Sequence, residues 1–301
     1  MDIRIRPFVR GDRDQVADLV NAHIAAVVPG MSVSVQGLLS QLEREPGEFI
    51  VDRWVRERVT LVAEQRGRVV AAAHLLGYGD DEHTGPDYRD AGEIRWLVCW
   101  PPAPYWPDAL AAGDALAVAC HAQFNRWGVM RRYADGALPA PGVFGVPEQW
   151  PHVRGIYERA GFRHDGRTEV VFVARVDGLR RPTAPLAELD TRRTLGTNGT
   201  RITAVLGSED VGYIEVDTNL DAGPRMSRLG AWADVGNLWV DEAHRRRRIG
   251  SWLVGQAATW LHLGGTACLL DYADADDGPY AAFLSASGFT VLTRTARGFA
   301  C

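Results

Sequence analysis

An α/β chain built as two consecutive sheet-and-helix domains is what this 301-residue sequence predicts. Three observations carry the expectation. Short apolar runs alternate with helical-period segments over the whole length, and that length suits one large or two ordinary domains. A Gly-Phe pair stops a helix twice, at Gly161-Phe162 and Gly288-Phe289, each time ahead of a final strand pattern. Between the two lies a Pro/Gly-containing stretch without periodicity, which reads as a linker. The expected organisation is an N-terminal domain over 1–177, a linker over 178–185 and a C-terminal domain over 186–301.

In the first half, Ile3–Phe8 alternates and Pro7 makes it an edge-type strand. Apolar residues at Val16, Leu19, Val20, Ile24 and Val27 have helical spacing, and Pro29-Gly30 ends that helix. A second helix is expected from Val35 to Glu45, broken by Pro46-Gly47. Thr60–Glu64 and Arg68–Leu75 form a hairpin across Gln65-Arg66-Gly67. After the polar loop 79–90 comes a strand, Glu93–Val98, then a proline-rich segment, Cys99–Pro107, and a helix from Asp108 to about Phe124. Val129–Tyr133 begins a strand, Trp150–Ala160 is a helix, and Thr168–Val176 is expected to close the first half. The second half opens directly with strands over 189–195, 200–207 and 211–216. A strand over 233–240, a helix over 249–262, a buried strand over 267–272, a short helix over 279–287 and a strand over 290–295 follow.

Composition narrows the functional classes. With 46% hydrophobic and 24% charged residues the chain is an ordinary globular one, and no apolar run approaches the ~18 residues of a membrane span. All 33 basic residues are arginine, which excludes lysine nucleophiles, Schiff bases and P-loop lysines. The net charge of −5 argues against a nucleic-acid footprint. Cys99, Cys120, Cys268 and Cys301 have no paired spacing, so neither disulfides nor a metal site is expected. Asp274-Ala275-Asp276-Asp277 lacks the spacing of a calcium loop. The N-terminus has no signal-peptide pattern, so a cytoplasmic location and no membrane partner are the expectations.

The functional signal sits at Asn237–Val254. An apolar strand end, Leu238-Trp239-Val240, runs through a polar turn into Arg245-Arg246-Arg247-Arg248, and Ile249-Gly250-Ser251 then opens an amphipathic helix. First-turn N–H groups lack intrahelical partners, the helix dipole adds positive potential, and arginines add donors suited to phosphate. The competing reading is a solvated basic helix start paired with nearby acids.

This stretch resembles the acyl-CoA pyrophosphate loop of the GNAT superfamily, the CoA-dependent N-acetyltransferases. Val240, Arg245 and Gly250 fall on its Val-x-x-x-x-Arg-x-x-Gly-x-Gly/Ala pattern, while Arg248 stands where the family has its first glycine. The element order and Ile156-Tyr157-Glu158-Arg159-Ala160-Gly161-Phe162 resemble the same family. The resemblance implies two tandem GNAT-like domains, as in mycothiol synthase, each with a mixed, mostly antiparallel sheet flanked by helices. The second copy lacks the first two helices. The first is expected to be degenerate for CoA, because Cys99–Pro107 carries four prolines and no arginine.

The resemblance also implies the chemistry, acetyl transfer from acetyl-CoA to a primary amine of a small molecule. The cofactor would be held by Leu238, Trp239, Val240, Arg245, Arg246, Arg247, Arg248, Ile249, Gly250, Ser251 and Phe283. Asp234, on the strand before the cradle, has the place of the family's base. Glu93 has that place in the first half. The family's tyrosine, which protonates the leaving thiolate, corresponds to Tyr157 in the first half but to Leu284 in the second. Tyr280, one turn earlier, or Tyr272 is expected to replace it. No metal is needed, and a homodimer stays open. The alternative is a non-catalytic acyl-CoA sensor or scaffold.

Overall fold

The computed structural model describes residues 2–43, 54–101, 108–134, 137–138, 143–218 and 231–301. The expected helix end at 44–45, its Pro46-Gly47 stop and most of the proline-rich segment, 102–107, lie outside the described residues. The described residues form two compact units, one of those up to 168 with 294–301, the other of those from 169 to 293.

In the first unit, β1 (Ile3–Pro7), α1 (Arg13–Val27) and α2 (Val35–Leu42) lead into β2 (Val55–Gln65), β3 (Arg68–Tyr78) and β4 (Ala91–Cys99). Then come α3 (Ala109–Trp127), β5 (Arg131–Tyr133), β6 (Val146–Pro147), α4 (Pro151–Arg159) and β7 (Arg163–His164). Ser34 caps α2 by accepting from the Gly37 N–H at 3.0 Å. The apolar run of β3 is buried at every residue but its first, and α1 and α3 both pack against that strand. A strand covered on both faces needs no polar alternation.

The second unit is built from β8 (Thr168–Arg175), β9 (Leu189–Gly196), β10 (Gly199–Leu206), β11 (Glu209–Asp217) and β12 (Ala231–Val240). These are followed by α5 (Ile249–Leu263), β13 (Thr266–Asp274), α6 (Gly278–Ser287) and β14 (Thr290–Ala296), after which the last strand, β15 (Phe299–Ala300), belongs to the first unit. The sheet of the second unit runs β14-β8-β13-β12-β11-β10-β9. The apolar face of α5, including Trp252, Leu253 and Leu261, packs with Ile202, Ile214, Ala233 and Leu269 into one core. Strand β9, whose polar residues alternate only weakly with apolar ones, stays largely exposed at the sheet edge.

Two strands depart from the sequence expectation. Thr168–Val176 was expected to close the first half, yet Cys268 to Asp274 of β13 pair antiparallel with Arg175 to Glu169 of β8. The end of the chain does the converse. Thr295 and Ala296 pair with Pro147 and Val146, and β15 joins the seven-stranded sheet β1-β2-β3-β4-β5-β15-β7. Period-2 patterning says which face a strand buries but not which sheet it joins, so neighbours in sequence give the wrong partner here.

The C-terminal strand is a core element of the first unit. Phe299 is fully buried, 5.0 Å from the His164 ring and 5.8 Å from that of Tyr157. Phe299→Ala should therefore destabilise the first unit by about 3–5 kcal/mol, read as a lower midpoint in urea unfolding; an unshifted midpoint would show that the strand is dispensable.

Candidate active site

The site begins with a strand pair that parts. β12 pairs in parallel with β13 only from Ala231 to Asp234, the last opposite Leu270, whereas its antiparallel pairing with β11 continues to Val240 opposite Gly212. Beyond Asp234 one edge of β12 has no strand beside it, and its backbone donors and acceptors are available to a ligand.

A cleft of about 910 Å³ lies at the end of this parted edge. Leu238, Trp239 and Val240 of β12 form one side, and Tyr280 and Phe283 of α6, stacked with their rings 5.8 Å apart, form another. The floor is the turn into α5, with Arg245, Arg246, Arg248, Ile249, Gly250 and Ser251. These eleven residues singled out in the sequence line one cleft. Arg247, also exposed, is not among the lining residues. His244, Asp277, Pro279 and Ala282 also line the cleft.

Local chemistry shapes the turn. Asp241 accepts from the Ala243 N–H at 2.9 Å and sits 3.2 Å from His244 Nδ1, and that pairing holds its carboxyl below the ordinary value. Arg245 Nε donates to the Val240 carbonyl at 3.1 Å, tying the first arginine to the strand end. Arg246 and Arg248 both have φ of 64°, the left-handed region. Arg248 thus adopts the conformation that a glycine would adopt without strain. As the N-cap of α5 it provides no side-chain cap, so the first-turn N–H groups remain for an anion at the positive end of the helix dipole.

Gly250 leaves the cleft open, although a single Cβ there would make only ordinary contacts. Its φ is not positive, and a Cβ there would lie 3.4 Å from the Phe283 ring and 3.9 Å from Val240, two walls of the cleft. Any longer side chain would fill the cradle that an acyl-CoA pyrophosphate requires. The residues present therefore fit that group: a helix start without a cap, arginines around it, and a glycine where the ligand would approach.

Two carboxylates flank the parting strands, each bonded to one phenol. The Tyr272 hydroxyl donates to Asp234 Oδ2 at 3.3 Å. Burial, helped by the neighbouring charge of Asp217, pushes Asp234 up to about 6. The Tyr280 hydroxyl donates to Asp271 Oδ2 at 3.0 Å, and burial pushes Asp271 up to about 7. Both phenols are raised above their ordinary value, chiefly by burial. The two expected phenols are thus on different carboxylates: Tyr280 lines the cleft, whereas Tyr272 is not among its lining residues. Leu284, at the family's tyrosine position, is fully buried in the core. Asp271 escaped the sequence reading. The only signal was a charged residue inside the apolar run Ala267–Tyr272.

The first unit repeats the geometry with different chemistry. β4 pairs in parallel with β5 only from Ala91 to Glu93, so Glu93 stands where Asp234 does. It is 3% exposed, accepts a short hydrogen bond from Tyr78 and lies 3.4 Å from Arg95. A separate pocket of about 690 Å³ in this unit is lined by His23, His152, Trp100, Trp150 and Arg159 among others. His23 Nδ1 meets the Leu19 carbonyl at 2.7 Å, so its Nε2 accepts from His152 Nε2 at 3.0 Å. Burial lowers His23 to about 4, which keeps the pair neutral at pH 7. Arg159 is held by Asp114 at 2.8 Å, and Tyr157 is fully buried. Among the described residues there is no group of three or more metal-ligating side chains and no helix long and apolar enough to cross a membrane.

Arg248→Gly removes a left-handed non-glycine residue whose strain is about 1–2 kcal/mol but adds about 0.4–1 kcal/mol of unfolded-chain entropy. A small net gain in urea-unfolding stability is expected; a clear loss would mean that the arginine side chain itself holds the turn.

No family model and no curated sequence relative matches the chain. Solved structures do. A tandem GNAT protein from the clavulanic acid biosynthesis pathway superposes with a TM-score of 0.63 at 14% identity, covering 100% of this chain and 98% of that one. A GCN5-related N-acetyltransferase from Sphaerobacter thermophilus gives 0.61 at 13% identity, with 99% and 95% covered. The GCN5-related glucosamine N-acetyltransferase region of a fungal multi-domain GH3 β-N-acetylglucosaminidase gives 0.65 at 12% identity over 99% of this chain, which spans 38% of the fungal one. At such identities the likeness is one of fold. With two parted sheets and matches spanning the whole chain, the protein has the tandem GNAT fold.

Proposed function

We propose that the second unit binds acetyl-CoA and transfers its acetyl group to a primary amine of a small molecule. The observation that carries this reading is the placement of an uncapped, arginine-rimmed helix start with Gly250 at the end of the gap that opens after Asp234. Backbone N–H groups of the first turn of α5, with Arg245, Arg246 and Arg248, would hold the pyrophosphate. The free edge of β12 at Leu238–Val240 would bond the amides of the pantetheine arm, with Phe283 and Ile249 as its apolar walls.

An amine attacking a thioester must lose a proton, and the sulfur leaves more easily when protonated. Asp234 is the base of this reading. With its carboxyl near 6 it is mostly ionised at pH 7 yet basic enough to accept a proton. Tyr280, in the cleft wall, is the hydroxyl placed to serve the sulfur; Tyr272 orients Asp234. An amino-sugar acceptor is in keeping with the fungal neighbour, described as a glucosamine N-acetyltransferase region. The first unit, whose Glu93 is engaged by Tyr78 and Arg95, is read as degenerate for CoA. The reading uses no metal.

The second reading, an acyl-CoA sensor without turnover, is favoured by the buried Leu284 at the tyrosine position. Turnover of acetyl-CoA with any of a panel of primary amines separates the two.

Calorimetric titration of acetyl-CoA into wild type and Gly250→Asp tests the site. The variant puts a side chain and a negative charge into the cradle, and binding weakened at least ~10-fold, or about 1.4 kcal/mol, is expected. Undiminished binding would move the cofactor elsewhere. Asp234→Asn should lower kcat by about 10²–10⁴-fold, the usual range for a lost general base. It should also abolish the rise of the wild-type rate through about pH 6. An unchanged profile would remove Asp234 from the reaction.

A further inference from the structure

Asp271 has no part in the acetyl-transfer reading above, yet it is the more deeply buried of the two carboxylates, at 3% exposure. It lies on β13 next to Tyr272, and successive strand residues face opposite sides of a sheet. Asp271 therefore faces α6, where the Tyr280 hydroxyl meets it at 3.0 Å, while Tyr272 reaches Asp234 on the other side. A buried carboxyl whose side-chain partner is a phenol in the wall of a cleft has one direct route to that cleft, through the phenol.

We infer that Asp271 is a positioning residue that re-supplies the Tyr280 proton, so that Asp271 and Tyr280 form a two-step relay to the leaving sulfur. The inference rests on the acetyl-transfer reading. The amine nitrogen bonds to the thioester carbon, the carbon–sulfur bond breaks, and its electron pair stays on sulfur. The thiolate takes the Tyr280 hydroxyl proton, the phenolate oxygen takes the Asp271 carboxyl proton, and the proton lost by the amine goes to Asp234. Asp271 ends ionised and Asp234 protonated, and exchange with solvent restores both. The relay requires Asp271 to start protonated, because an ionised Asp271 holds the phenol proton and would stand beside a phenolate.

Burial favours the protonated form of Asp271 and Asp234 adds to it, against the hydrogen bonds from the Tyr280 hydroxyl and the Tyr272 N–H, which favour the ionised form. From β12, Asp234 opposes ionisation of Asp271; from α6, Tyr280 faces it, with Asp277 beyond. On its own strand Tyr272 donates its N–H to Asp271 at 2.7 Å, and the residue paired with it on β8 is Phe172. With Asp271 near 7 and Asp234 near 6, the rate should rise through the lower value and fall through the upper, giving a narrow maximum between them.

The test is the pH dependence of acetyl-CoA cleavage, read as released thiol, with the best amine of a primary-amine panel and with water alone. Wild type, Asp271→Asn, Tyr280→Phe and the double variant are compared. Asp271→Asn preserves shape and a hydrogen bond to the phenol but has no proton to give. Its kcat should fall ~10-fold, below the usual general-acid range because a thiol of pKa ~8.5 needs little help. KM should stay unchanged and the fall of rate above pH 7 should vanish. Tyr280→Phe should show the same profile, and the double variant should be no slower than Tyr280→Phe alone. An active enzyme in which Asp271→Asn keeps the alkaline fall, or in which the two losses add, overturns the relay and leaves the transfer reading intact. Absence of cleavage in wild type overturns both.

Discussion

The parting of β12 from β13 after four paired residues is the constraint on which the second unit depends. A parallel pair must be joined by a crossover, and α5 is that crossover. Because β12 leaves β13 while still paired with β11, the helix start stands at the open end of the gap. The turn must then reverse the chain within a few residues, which places Arg246 and Arg248 in left-handed backbone conformations. The same turn leaves the first N–H groups of α5 uncapped and puts Gly250 against Phe283 and Val240. A fully paired β12 would have no cleft and no free edge.

The gap also explains the protonation chemistry. Both carboxylates lie on the strands that part, Asp271 buried and Asp234 half-buried. Burial raises each of them, and one phenol hydrogen bond apiece keeps them from being orphaned. A carboxyl raised on folding contributes stability below its unfolded value of 3.8 that is lost as pH rises through about 6 to 7. The second unit thus gives up stability at neutral pH to keep two groups titrating near it, a placement characteristic of sites that move protons.

The first unit has the same split sheet without the same consequences. Glu93 sits at its vertex, as Asp234 does, but Tyr78 and Arg95 hold it, and this unit's pocket is walled by tryptophans and a neutral histidine pair. The helix-side arginine there, Arg159, is spent on Asp114. Two copies of one architecture thus differ in which polar groups are left free.

Local rules made much of this legible before any coordinates. Helical period, caps and stops placed α1, α3, α4, α5 and α6 to within a few residues, since those signals depend on neighbours in the chain. The anion cradle at Arg245–Gly250 was readable for the same reason: strand, turn and helix start are contiguous. The sequence could not say which sheet Thr168–Arg175 or Phe299–Ala300 would join, because strand pairing is set by partners far along the chain. Nor could it mark Asp271, whose importance comes from Tyr280 folding back over it from α6. Residue order determined the elements and the arginine-rich turn into α5. Burial and long-range pairing decided which carboxylates hold protons, because both depend on what the folded chain brings alongside.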